Sequence, residues 1–175
     1  MTPRLSRRTA LLTGAAAALP AALAAAPAPA AAACLTVEQA ARWTDAYLAA
    51  WRSKDAAAAA RLFTPDARYE AVPGVADQTY VGRDAIRGYW SGVTAGQSEI
   101  TTLRGTPLVT GDRACVELWV TLRAAGANPS GDDWITLIET NVLTFTPDLL
   151  CRHNVEYWNL QPGRLAPPAG WGTAR

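Results

Sequence analysis

Asp133-Trp134-Ile135-Thr136-Leu137-Ile138-Glu139-Thr140-Asn141-Val142-Leu143-Thr144-Phe145-Thr146 alternates apolar and polar side chains over its length, and its reading decides the fold. In an extended strand alternate residues share a face, so Ile135, Leu137, Leu143 and Phe145 line one side. Glu139 and Asn141 fall on that same side in mid-strand. A polar pair set into an apolar stripe points to a pocket rather than a filled core.

The same period runs outward from this stretch. Upstream it predicts strands over 99–109 and 112–124, and downstream one over 149–160, with Gly111-Asp112 and Pro147-Asp148 as tight turns. In 112–124, Ala114, Val116, Leu118, Val120 and Leu122 face the core, while Cys115, Glu117, Trp119, Thr121 and Arg123 face outward. A tight hairpin with Thr146 opposite Leu149 places Asn154 opposite Asn141 and Glu156 opposite Glu139. Like charges facing each other destabilise a strand pair. Either the two acids share a proton or an arginine, Arg152 or Arg42, answers them. The pair then reads as a general acid and base, or as a wetted structural pair balanced by arginine. In this register His153, the only histidine, lies outside beside Cys151 and Tyr157; a slip of one residue would bring it beside Asn141.

Before the strands, the period is helical. Val37, Ala40, Ala41, Thr44, Tyr47, Leu48 and Trp51 follow Thr36, an N-cap residue, and predict a helix ending near Ser53. Asp55 opens a short helix to about Phe63, stopped ahead of Pro65. Asp66 to Val72 reads as a strand, Pro73-Gly74 as a turn, and an extended piece runs to Val81. A third helix starts at Gly82-Arg83-Asp84, with Ala85, Ile86, Tyr89, Trp90 and Val93 as its apolar face. Helices ahead of a run of antiparallel strands make an α+β fold with the helices on one sheet face. Residues 161–175, rich in Pro and Gly, are expected to trail as a flexible tail.

Three groups of residues then fall into a known order: Tyr47, Trp51, Asp55, Leu62-Phe63 and Asp66-Ala67; Gly82-Arg83-Asp84-Ala85-Ile86; and Glu156-Tyr157-Trp158-Asn159. Over residues 36–160 the chain resembles the nuclear transport factor 2-like superfamily, in its SnoaL-like branch. The resemblance implies a cone-like, curved, mostly antiparallel sheet, three helices packed on its concave face, and an apolar cavity. Members of that superfamily include isomerases, polyketide cyclases, dehydratases, epoxide hydrolases and non-catalytic binding or dimerisation modules, and fold alone does not choose among them. Set beside the ketosteroid isomerases, Tyr47 matches the first-helix tyrosine and Asn141 the buried strand acid of their oxyanion hole. The position of their base corresponds to Ala71, with Glu70 one residue off and on the other side of the strand.

The N-terminus carries a different signal. Arg7-Arg8 precedes a charge-free run from Leu11 to Ala33, the pattern of a twin-arginine signal peptide over residues 1–33, so export to the cell envelope or the medium is expected. Cys34 follows Ala31-Ala32-Ala33 and has two readings, a lipid anchor on a new N-terminal Cys or an incidental residue by the cleavage site. Apart from the signal or such a lipid, no membrane contact is expected. Removing residues 1–33 takes three arginines and no acid, lowering the net charge from +1 to −2. That excludes a basic surface for nucleic acid. One histidine and no closely spaced Cys or His pair offer no metal site, and no Gly-rich phosphate loop is present, so no cofactor is expected.

The candidate catalytic residues are Tyr47, Asn141, Glu139 and Glu156, with Trp51, Trp90, Asn154 and Trp158 as candidate ligand contacts for a small hydrophobic molecule. Three function classes remain: cofactor-free acid/base catalysis of the isomerase, cyclase or dehydratase type; binding without chemistry; and homodimerisation through an outer patch of Trp119, Ile138 and Tyr157.

Overall fold

The computed structural model describes residues 34–173; the expected signal peptide over 1–33 lies outside the described residues. Thr36 begins the fold by capping α1 (Val37–Ser53). Its hydroxyl accepts from the Gln39 amide at 3.2 Å, and the Gln39 side chain accepts from the Thr36 amide at 2.8 Å, a reciprocal capping box. Lys54 ends the helix in the left-handed region, φ 58°. Asp55 then caps α2 (Ala56–Arg61) by accepting from the Ala58 amide at 2.8 Å.

β1 (Phe63–Glu70) begins earlier than the sequence predicts and holds Pro65 inside it. Proline is tolerated because β1 pairs irregularly there: its parallel ladder with β7 (Cys151–Pro162) skips from Phe63↔Cys151 to Arg68↔His153, so no ladder bond is asked of Pro65. A short 3-10 turn (Ala76–Gln78) leads to β2 (Thr79–Val81), which pairs β1 antiparallel. Gly82, at φ 86°, turns the chain into α3 (Arg83–Ala95). Ile86, Trp90 and Thr94 face the sheet and Tyr89 is half-buried, whereas Ala85 and Val93, expected on the apolar face, are exposed at its margin.

The strand expected over 99–109 is two strands, β3 (Gln97–Arg104) and β4 (Leu108–Thr110), both pairing β5 (Arg113–Ala124). Pro107, which has no amide hydrogen, sits in the break. With β6 (Trp134–Phe145) the sheet order is β2-β1-β7-β6-β5-β3. The helices lie on the concave face of this curved, mostly antiparallel sheet. Their apolar sides meet Ala114, Val116, Leu118, Val120 and Leu122 of β5, all buried as alternation requires.

β6 and β7 meet two positions away from the predicted register. Asn141 faces Glu156, Leu143 faces Asn154, and Glu139 faces Trp158. One step arises in the loop, where Leu149 adopts φ 64°, and the second at a bulge, where Phe145↔Cys151 gives way to Thr144↔His153 and leaves Arg152 unpaired. Two steps restore the faces, so Glu139 and Glu156 stay on the same side. The bulge turns Cys151 into the core, not outward beside His153 as expected.

The last residues run along the outer face of the sheet. Trp119 Nε1 donates to the Leu165 carbonyl at 2.9 Å, the Thr106 amide donates to the Gly172 carbonyl at 2.7 Å, and the Trp119 and Trp171 rings lie 5.8 Å apart. The outer patch expected from Trp119, Ile138 and Tyr157 is thereby divided: Trp119 is covered while Tyr157 remains exposed.

Candidate active site

Between the helices and the concave face lies an apolar cavity of about 180 Å³. α1 supplies Tyr47 and Trp51 one turn apart, α3 supplies Trp90, and β6 and β7 supply Glu139, Glu156 and Trp158. Of the eight residues singled out from the sequence, these six line the cavity. Asn141 and Asn154 share the face but are buried behind its wall, so neither reaches a ligand in the cavity directly.

Glu156 is the hub. Its Oε1 accepts from the Tyr47 hydroxyl at 2.7 Å, from the Tyr69 hydroxyl, and from Asn154 Nδ2 at 3.2 Å. The two phenols are themselves 2.9 Å apart. Glu139 is also buried, and its Oε1 has no hydrogen-bond partner. No arginine answers either acid: Arg152 pairs with Asp112 at 2.7 Å on the surface, and Arg42 is exposed. Burial, which penalises the charged form, pushes the Glu156 carboxyl up to about 7, against the hydrogen bonds from Tyr69, Tyr47 and Asn154 that favour its anion. Glu139 is raised well above the usual carboxylate range by burial and then by the charge of Glu156. Three donors hold the anion on Glu156, so Glu139 keeps the proton. The Tyr47 and Tyr69 phenols are held protonated, first by burial and then by that same negative charge. Above about pH 7 the site therefore contains the acid of Glu139 and the carboxylate of Glu156.

Tyr69 was not among the residues drawn from the sequence. Its signal is present in the sequence, because Ala67, Tyr69 and Ala71 alternate in the strand predicted over Asp66 to Val72. Glu70 points the other way. Its carboxylate accepts from Arg68 Nε at 2.9 Å and from the Gly74 amide at 3.2 Å, and meets His153 Nε2 at 2.9 Å, all outside the cavity. Around the mouth, Trp51 Nε1 donates to Gln97 Oε1 and Trp158 Nε1 to the Ala71 carbonyl, each at 2.8 Å. Trp90 Nε1 is buried without a partner. Among the described residues no group of three or more His, Cys, Asp or Glu is placed to share a metal ion.

A family model described as the SnoaL-like domain matches residues 44–153. No curated protein shows significant similarity to the chain. Among solved structures, it is similar to SalBIII, an epoxide hydrolase/cyclase-like enzyme described in pyran ring formation in polyether salinomycin. The TM-score is 0.58 at 20% identity, over 70% of this chain and 92% of that one. It is also similar to a hypothetical protein with a ketosteroid isomerase-like fold from Catenulispora acidiphila DSM 44928, solved in complex with trimethylamine. There the TM-score is 0.56 at 20% identity, over 66% of this chain and 83% of that one. At such identity the two likenesses establish the fold alone.

Proposed function

Because the chain belongs to the SnoaL-like domain family, a group related in fold to cyclases and isomerases, we propose that it moves a proton on a small apolar substrate, without a cofactor. The observation that carries this reading is the placement of two buried carboxyl groups on the wall of one apolar cavity, Glu156 held by two phenols and Glu139 Oε1 left without a partner. In the proposed step the carboxylate of Glu156 removes a proton from carbon next to a carbonyl, and the acid of Glu139 donates its proton to the oxygen as the enol forms. Returning a proton to carbon at the same or another position completes an exchange or an isomerisation. A base whose pKa lies near neutrality suits this work. The sequence-based assignment of Tyr47 and Asn141 to the carbonyl oxygen is replaced in this scheme, since Tyr47 donates to Glu156 and Asn141 stands behind the wall.

Incubation with 2-tetralone, a two-ring ketone, in heavy water tests the reading by NMR of its exchanging protons. Glu139→Gln and Glu156→Gln should each slow protein-catalysed exchange by ~10²-fold or more, while tryptophan fluorescence still reports binding. Full exchange in both variants would overturn it. A second reading, a binding module without turnover, is favoured by the way both tyrosine donors are spent on Glu156 rather than aimed into the cavity. Binding of 2-tetralone with no exchange by the unaltered protein would establish that reading instead.

We also propose export through the twin-arginine signal. Replacing Arg7 and Arg8 by Lys should leave full-length precursor in the cytoplasm, and unchanged export would overturn this. Mass analysis of the mature N-terminus separates a lipidated Cys34 from an ordinary amine.

A further inference from the structure

The cavity holds two buried carboxyl groups with no cation to answer them. Glu139 of β6 and Glu156 of β7 both line its wall, and the other titratable groups lining it are phenols, Tyr47 from α1, Tyr69 from β1 and Tyr89 from α3. No Lys, Arg or His lines it, and no ion pair reaches either glutamate. A buried charge is tolerated when paired and penalised when alone. Two further observations point to a polar ligand. Glu139 Oε1, on a residue only 2% exposed, has no partner, and neither has Trp90 Nε1, a donor only, on a residue also 2% exposed. Much of the remaining wall is aromatic, with Trp51, Trp90 and Trp158 joining the tyrosines. Aromatic faces are the negative part of the ring quadrupole and attract cations, most strongly when both are shielded from water.

We propose that the ligand of this cavity carries a protonated or quaternary amine on a small apolar body, the cation seated between the two glutamates and the tryptophans. A hydrogen-bond acceptor elsewhere on the ligand meets Trp90 Nε1. This deepens the acid/base reading and rests on it for the location of the ligand. Anions are repelled by the same wall, and a neutral molecule of equal shape gains burial but no charge pairing. A cation there favours the carboxylate of Glu156 and leaves the acid of Glu139 in place.

Choline and 3,3-dimethylbutan-1-ol share size, shape and hydroxyl and differ in the quaternary nitrogen, so they isolate the charge. Titrated into the folded protein at pH 8 and followed by tryptophan fluorescence, choline should bind at least tenfold more tightly. Its affinity should rise as pH passes through 7, while that of the alcohol should not. In Glu156→Gln, confirmed folded by circular dichroism, the preference should shrink toward unity. Equal affinities in the unaltered protein, tighter binding of the alcohol, or binding of neither would overturn the proposal whatever the variant does. Glutamate-dependent exchange of 2-tetralone alongside any of these results would remove the amine and leave the acid/base reading standing. A choline preference without exchange would do the reverse.

Discussion

The Tyr47 hydroxyl donates to Glu156 Oε1 at 2.7 Å, tying the first helix to the last strand across 109 positions of sequence. Because it selects the charged form of the acid, this bond couples the fold's stability to the protonation of its site. Tyr47→Phe removes one donor while keeping the ring that stacks on Trp43 at 5.3 Å. Loss of a hydrogen bond to a charged group is worth about 1.5–3 kcal/mol. Denaturant unfolding at pH 8 should show a loss of that order, and carboxyl NMR should show Glu156 titrating at higher pH than in the unaltered protein. Tyr69→Phe should act in the same direction. An unchanged Glu156 titration in both variants would mean the phenols do not set its protonation.

The pH dependence of stability follows from the sign of two shifts. Glu156 is raised from 4.5 to about 7, so between these values the unfolded chain gives up a proton that the folded one keeps. Stability contributed by this group is fully present below about pH 4.5 and is lost as pH rises through 7. The loss is on the order of 3 kcal/mol at most. Glu70 is lowered to about 2, chiefly by the Arg68 hydrogen bond and then by that of His153, and acts oppositely: its contribution is present above about pH 4.5 and lost as pH falls toward 2. Unfolding midpoints should therefore peak in mildly acid solution. Glu156→Gln should flatten the alkaline limb and spare the acid one. A midpoint that climbs steadily to pH 8 contradicts the charge placement.

Much of this arrangement was legible in the sequence, and its failures share a cause. The inner face of β5, the polar pair on β6 and the cap at Thr36 are set by neighbours a few positions away, and all were read from spacing. The β6–β7 register was missed because the left-handed Leu149 and the bulge at Arg152 leave no mark on alternation. That the two steps cancel in parity is why both glutamates still reached the cavity. The break between β3 and β4 and the course of the C-terminal residues depend on contacts with Glu117, Trp119 and Gly105, distant in sequence, which local pattern does not report.

Cys115 and Cys151 lie on β5 and β7 with β6 between them, and both are free thiols. Two strand spacings amount to ~9.6 Å, more than the ~7 Å that a disulfide spans between Cα atoms. Cys115 faces outward and is partly exposed, whereas Cys151 is fully buried, its thiol pushed up to about 12 by that burial. Thiol titration of unreduced protein should find both after unfolding, and in the native state Cys151 should stay unreactive while Cys115 reacts slowly. Failure to find either thiol in the unfolded chain would mean that the strand order is wrong.

Gly172 and Gly105 pack backbone to backbone where the C-terminal segment meets the β3–β4 break. A Cβ built on Gly172 would lie 2.7 Å from Gly105 Cα, and Gly172 also adopts φ 71°, which L side chains rarely take. Neither obstacle is the flexible end of a side chain, so Gly172→Ala should displace the segment instead of being absorbed. The displaced segment carries Trp171 off Trp119, an aromatic pair worth about 0.5–1.5 kcal/mol. It also opens the Thr106 to Gly172 hydrogen bond. The variant should therefore show red-shifted tryptophan emission, faster proteolysis after Gly163, and a stability loss of about 1–2 kcal/mol. Trp171→Ala should produce the emission change while retaining the backbone contact. Proteolysis and emission both unchanged in Gly172→Ala would show that the C-terminal segment is not held against the outer sheet through this contact.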